Sequence, residues 1–200
     1  MKSLIARYNS NKSQIISRLE EFKSLKEENY FPELIFCLLT PQSNAKKCWQ
    51  AAQLISKLKN PTSSQIKSIL KTRTRFHNNK SSYIQEAIKN KFQILAQLEK
   101  ENDTLETRNW LTKNVKGLGL KEASHFLRNI GKSNNQITIL DRHILTNLNS
   151  LNIIKEKNIK NPKHYLEIED KFISFSKQIN IPIDHLDLLF WSQQTGEIFK

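Results

Sequence analysis

No stretch of this 200-residue chain approaches the roughly 20 apolar residues that cross a bilayer. The longest apolar run is only Leu34-Ile35-Phe36-Cys37-Leu38-Leu39. The first residues, Met1-Lys2-Ser3-Leu4-Ile5-Ala6-Arg7, lack the apolar core of a secretory signal, so a soluble intracellular protein is expected. Cysteine is nearly missing. Cys37 and Cys48 are the only two, they form no C-x-x-C pattern, and their apolar neighbours predict buried free thiols. Two thiols cannot supply the four thiolates of an iron–sulfur cluster, and a Cys/His zinc site fails for the same reason. With four glycines and five prolines, loop punctuation is sparse, which points to helices joined by short connections. Acidic residues are the scarcer charge, 19 against 32 basic, giving +13 and a pI near 9.7. That balance favours a polyanionic partner, because clustered Lys and Arg displace counterions from phosphate backbones. A merely solvated basic surface would have the same composition. The 38% of hydrophobic residues is enough for a core and argues against wholesale disorder.

Apolar spacing is helical almost throughout. Ile15, Leu19, Phe22 and Leu25 step by four, three and three, the stripe of an amphipathic helix. Ile84, Ala87, Ile88, Leu95 and Leu98 mark another, longer helix, while Phe126, Leu127 and Ile130 follow the same logic. So do Tyr165, Phe172, Phe175 and Ile179. Period-two alternation is confined to Ile137-Thr138-Ile139, and the expected fold class is all-α. Pro32, Pro41, Pro61, Pro162 and Pro182 fall at helix starts or connections, and Ser133-Asn134-Asn135 reads as a loop. There is no internal repeat, low-complexity tract or heptad register.

Half of the glycines stand two residues apart in Val115-Lys116-Gly117-Leu118-Gly119-Leu120-Lys121-Glu122-Ala123-Ser124-His125-Phe126. Two glycines permit positive φ and a tight hairpin, which Leu118 can pin to the core. The next helix should begin near Leu120–Lys121, and its unpaired N–H groups, with those of the hairpin, suit a phosphate. An ordinary turn between two helices is the alternative. No strand precedes the glycines, so a dinucleotide-binding fold is unsupported. Lys121 falls in the first helical turn, where the helix already carries partial positive charge, and Lys116 adds a second cation nearby. Both effects disfavour an ammonium and favour a nucleophilic amine. Twenty residues on, Asp141 heads another helix, beginning Arg142-His143-Ile144-Leu145. An N-cap and a catalytic carboxylate are both open to it, since one oxygen can serve each task.

Gly117-Leu118-Gly119 between helices, followed by Lys121 and Asp141, resembles the helix–hairpin–helix DNA glycosylase superfamily. Val115 through Asn129 is very similar to its second type of 8-oxoguanine DNA glycosylase/lyase, best known from archaea and some bacteria. Ile139-Leu140-Asp141-Arg142-His143-Ile144-Leu145 matches the same family, as do Leu38-Leu39-Thr40-Pro41-Gln42-Ser43 and Arg75-Phe76-His77-Asn78-Asn79-Lys80. The C-terminal Thr195-Gly196-Glu197-Ile198-Phe199-Lys200 matches it as well. One departure is the segment between Gly131 and Asp141, which is a little longer than in the family and lacks proline.

The resemblance implies a two-lobed, all-helical unit over 1–200. Residues 31–132 would form a central helical barrel with the hairpin, and 1–30 plus 133–200 a second lobe. The active cleft would lie between lobes, with Lys121 facing Asp141 and acting on a nucleotide flipped from the duplex. Implied partners are double-stranded DNA containing 8-oxoguanine or abasic sites, met by a monomer at the nucleoid of the cytoplasm. No cofactor is implied, beyond a monovalent cation that hairpin carbonyls hold in relatives.

Further roles come from the same resemblance. Trp191 would stack on the flipped base, although from the residues alone an aromatic in Leu188-Leu189-Phe190-Trp191 reads more readily as core than as a stacking platform. Lys200 would help accept the N7 proton of 8-oxoguanine through its carboxylate or backbone; fraying of 196–200 is the bland alternative. Phe76, in the basic setting of Arg73, Arg75, His77 and Lys80, would wedge into the duplex. Arg75 and Gln42 are further candidate DNA contacts, and Gln42 could equally cap a helix. Arg128, Arg142 and the hairpin lysines are expected on backbone phosphates. The histidines His125, His143, His164 and His185 read as structural, and Trp49, Tyr83 and Trp110 as core. Two other classes stay open: a glycosylase for oxidised pyrimidines, and a non-catalytic helix–hairpin–helix DNA-binding module in which Lys121 is dispensable.

Overall fold

The computed structural model describes residues 2–200; Met1 and the side chains of residues 194 and 195, Thr195 of the C-terminal motif among them, lie outside the described residues. The described residues form helices and connections without a strand, and no helix is long and apolar enough to cross a membrane. They divide into two compact units, 25–126 and 2–24 with 127–200. Each boundary stands six residues ahead of the expected 31 and 132.

The unit of residues 25–126 is built around its most apolar segment. A short 3₁₀ turn, Glu27–Asn29, leads into α2 (Tyr30–Leu39), following α1 (Lys2–Lys23) of the other unit. From Leu34 to Leu39 every side chain of α2 is buried, as expected of a helix that is hydrophobic all round. Packed on it are α3 (Ala45–Ser56), α5 (His77–Lys89) and α6 (Lys91–Lys100), with α4 (Ser63–Leu70) and α7 (Thr104–Asn114) beyond. Local signals set the starts. Asn44 accepts the Lys47 N–H, Thr62 and Gln65 form a capping box, and Asp103 accepts from Leu105 and Glu106. The long helix expected over Ile84–Leu98 is two, α5 and α6, because Asn90 leaves helical geometry at φ −97°, ψ 9°. Cys37 and Cys48 are buried and free.

The chain leaves this unit inside α8 (Leu120–Asn129), and the rest joins α1. Here α11 (Ile183–Thr195) is central, contacting α1, α9 (Arg142–Ser150) and α10 (Pro162–Gln178). Phe190 of α11 stacks on Phe172 of α10 with centroids 5.7 Å apart. Asn161 caps α10, where Pro162 takes the first helical position, whose N–H needs no partner.

Candidate active site

The hairpin after α7 is fixed from within. Leu118 is buried and its N–H reaches Val115 O at 3.1 Å. Gly117 adopts φ +93°, and a Cβ there would fall 2.5 Å from the Tyr83 ring, so the position excludes other residues twice over. Gly119 is different from the expectation, for it does not share that positive φ. What it supplies is space: a Cβ would stand 3.2 Å from Glu122 Oε2, the oxygen that accepts the Gly119 N–H at 3.3 Å. The other oxygen of the same carboxylate, Oε1, lies 2.9 Å from Lys121 Nζ. Lys121 therefore stands in the first turn of α8, partly exposed, in an ion pair the sequence reading did not count.

Lys116, expected to be the cation beside Lys121, pairs instead with Glu86 at 3.7 Å. The cation that interacts with Lys121 is Lys80 of α5, which reads in sequence as part of a basic surface but is buried. Its ammonium donates to Leu39 O and Pro41 O at 2.7 Å, Thr74 Oγ1 at 2.8 Å and Ser43 Oγ at 2.9 Å. Four acceptors surround a group with three protons. Burial pushes Lys80 down to about 8, with a smaller contribution from Lys121, and burial pushes the neighbouring Cys48 thiol up to about 11. The signal that could have revealed it is spacing, because Lys80, Ile84 and Ala87 form one buried stripe.

Lys80 joins two loops that carry predicted DNA contacts. One is the turn of exposed Gln42, whose φ is +54°; the other runs through Thr74 to Phe76. Ser43 Oγ also accepts the Arg75 N–H at 3.0 Å. Phe76 is 53% exposed with φ +56°, and the Arg75 guanidinium lies 5.7 Å from its ring centroid. Gln42, Arg75 and Phe76 thus share one edge of this unit.

Asp141 belongs to the other unit. Both cap bonds of α9 converge on its Oδ1, from His143 N at 2.8 Å and Ile144 N at 2.9 Å, so Oδ2 is not needed for the cap. The cap leaves the other carboxylate oxygen available, so the two roles open to Asp141 are compatible. The preceding β-like run, Ile137-Thr138-Ile139, forms no strand, and its backbone bonds side chains. Glu169 accepts Thr138 N at 2.8 Å, Asp187 accepts Ile139 N at 3.1 Å, and Tyr165 donates to Thr138 O at 2.7 Å. Upstream, Asp184 accepts from Ser133 Oγ at 2.6 Å. Burial raises both Asp184 and Asp187, which Arg128 opposes. Arg128 is buried beside these acids and 5.5 Å from the Phe22 ring centroid, which removes it from the expected phosphate contacts.

Trp191 stands one turn after Asp187 on α11, half-buried, with the Phe199 ring 6.3 Å away. Lys200 Nζ lies 6.0 Å above Phe22. His125 packs edge-on to Phe36, His185 meets Tyr8 Oη at 2.9 Å, and Trp49, Tyr83 and Trp110 are half-buried, less enclosed than expected. Among the described residues no group of His, Cys, Asp and Glu could hold a metal ion.

Comparison with known proteins adds independent findings. Residues 15–181 match the family model described as 8-oxoguanine DNA glycosylase. A Fusobacterium nucleatum 8-oxoguanine DNA glycosylase/AP lyase is 41% identical, across 96% of this chain and 94% of its own. The crystal structure of the Thermotoga maritima 8-oxoguanine DNA glycosylase superposes with a TM-score of 0.89 at 29% identity, covering 100% of this chain and 97% of that one. A Methanocaldococcus jannaschii 8-oxoguanine glycosylase/lyase, solved with 15mer DNA containing 8-oxoguanine, gives 0.89 at 31% identity over 100% of both chains.

Proposed function

The chain belongs to the 8-oxoguanine DNA glycosylase family, and we propose that Lys121 and Asp141 carry its glycosylase and AP lyase chemistry on 8-oxoguanine in duplex DNA. The observation that carries the assignment is the pairing of two local geometries. One is an amine in the first turn after a glycine hairpin, and the other a capping carboxylate with one oxygen to spare.

The neutral Lys121 amine attacks C1′ of the flipped nucleotide, the C1′–N9 bond breaks, and the electron pair leaves with the base. Asp141 stabilises the positive charge that develops on the sugar. The sugar ring opens to an imine with Lys121. Loss of a C2′ proton then expels the 3′ phosphate and nicks the strand, and the same imine forms at a preformed abasic site. Trp191 supplies the stacking face, with Lys200 in the same unit. Phe76, Arg75 and Gln42 hold the distorted duplex, and the N–H groups around Gly117 and Gly119 contact phosphate. The chain acts as a monomer at the chromosome, within the cytoplasm. No cofactor enters this chemistry; neutral hairpin carbonyls suit a monovalent cation, and no step passes through one.

Borohydride trapping tests the reading. Incubated with an 8-oxoguanine duplex and borohydride, the protein should form a covalent complex. Lys121→Gln should bind the duplex within about twofold, since it loses one phosphate-range charge of many, yet form none. A Gln variant that still cross-links and cleaves refutes the nucleophile.

A further inference from the structure

A nucleophilic lysine needs an acceptor for its proton, and the structure assigns that role to Glu122. We propose that Glu122 takes the proton of the Lys121 ammonium, and that a DNA phosphate arriving at the hairpin drives the transfer. The proposal rests on Lys121 being the nucleophile.

Three observations carry it. Glu122 Oε1 is 2.9 Å from Lys121 Nζ, within reach of direct transfer, and its side chain is only 13% exposed. Neighbours i and i+1 on a helix do not face each other, so helical spacing alone does not produce this contact. Its second oxygen holds the Gly119 N–H at 3.3 Å, in the space that the missing Gly119 side chain leaves open. One carboxylate therefore links the reacting amine to the backbone donor a phosphate would take.

That link gives the transfer its direction. In the structure Oε2 accepts the Gly119 N–H and Oε1 faces the ammonium in an ion pair. A phosphate on Gly119 N–H removes a donor from Oε2 and sets a second anion beside the carboxylate. Both changes raise the proton affinity of Glu122. The Nζ–H bond breaks, the Oε1–H bond forms, and the electron pair stays on nitrogen. That pair attacks C1′, while the departing base takes its proton from water. Of the groups facing the pair, Lys80 interacts with both partners. Its charge opposes protonation of Glu122 and favours deprotonation of Lys121, so the two effects offset. The Cys48 thiol is neutral below about 11, and Lys116 is engaged with Glu86.

The test is Glu122→Gln, which keeps an oxygen for the Gly119 N–H and cannot take the proton. Single-turnover excision of 8-oxoguanine and borohydride trapping at a preformed abasic site are followed from about pH 6 to 9.5. The expected rate at neutral pH is about 100-fold below wild type on both substrates. It should recover about tenfold per pH unit as hydroxide replaces the lost base, with duplex affinity no lower than wild type, since one anion beside the phosphate is gone. Glu122→Asp should recover part of the neutral-pH rate. A wild-type rate and pH profile in the Gln variant overturns the proposal, and so does a loss that alkaline pH does not relieve. Trapping by Lys121→Gln would instead remove the nucleophile assignment on which the proposal rests.

Discussion

Asp141 caps α9 through one oxygen, the other is proposed to serve the sugar, and a single substitution separates the two tasks. Asn caps helices about as well as Asp, so Asp141→Asn should retain both Oδ1 bonds to α9 and melt within about 1 °C of wild type. It loses the charge proposed to steady the sugar cation, and on that proposal single-turnover excision should fall by about 100- to 1000-fold. Equal activity would leave Asp141 as a cap alone. The placement of Lys121 in the first turn of α8 and of Asp141 ahead of α9 was legible in the sequence because the cues are local: glycine spacing, a helix start, a short polar residue before an apolar stripe. Lys80, Arg128 and Glu122 were not. Whether a basic side chain faces water depends on which carbonyls and carboxylates the fold brings to it, as the four acceptors around Lys80 illustrate. For Glu122 the bond to the Gly119 N–H follows the spacing of a helix start, but the reach of the same carboxylate to Lys121 does not.

At the scale of elements, the segment Ser133–Leu140 is the case where pattern reading was half right. The loop expected at Ser133-Asn134-Asn135 is there, with both asparagines at positive φ, but the alternation at Ile137-Thr138-Ile139 forms no strand: Glu169 and Tyr165 of α10 and Asp187 of α11 bond that run, and Asp184 holds Ser133. Burial raises both aspartates in the folded state, so folding binds protons there. The stability they confer is complete below the ordinary carboxylate range and is lost as pH rises through their raised folded values. Asp187→Asn keeps an acceptor for the Ile139 N–H and removes one titration. The variant should melt close to wild type near pH 4.5 and gain on it by several degrees near pH 8. An unchanged pH slope would show that Asp187 is ionised throughout. The hairpin is the second element with a sharp expectation. Gly117→Ala must adopt φ +93° against the Tyr83 ring, at a cost of about 1–3 kcal/mol before any repacking. That corresponds to a melting point lower by about 2–10 °C, read by calorimetry. A neutral substitution would mean that the hairpin relaxes freely.

For the whole molecule, charge is the property that no single residue owns. The chain carries +13, and although Lys80, Arg108 and Arg128 are buried, so are Glu33, Glu169, Asp184 and Asp187, so the basic excess stays on the surface available to DNA. Phosphate contacts release counterions in proportion to their number, whatever the sequence beneath them. Stacking on a flipped base and hydrogen bonds to its edge release few or none. The two contributions should therefore separate in a salt titration. Plotted as log affinity against log salt between about 50 and 200 mM, an 8-oxoguanine duplex and an undamaged duplex should give parallel lines. With about six phosphate contacts, each line should lose about 1000-fold over that range. The vertical gap between them, measured with Lys121→Gln to prevent turnover, is the lesion term and should hold constant. A flat dependence on both duplexes would detach the basic surface from DNA binding. A slope confined to the damaged duplex would place the phosphate contacts after base flipping, when the strand is already distorted, and the hairpin would then be part of lesion capture instead of the initial docking.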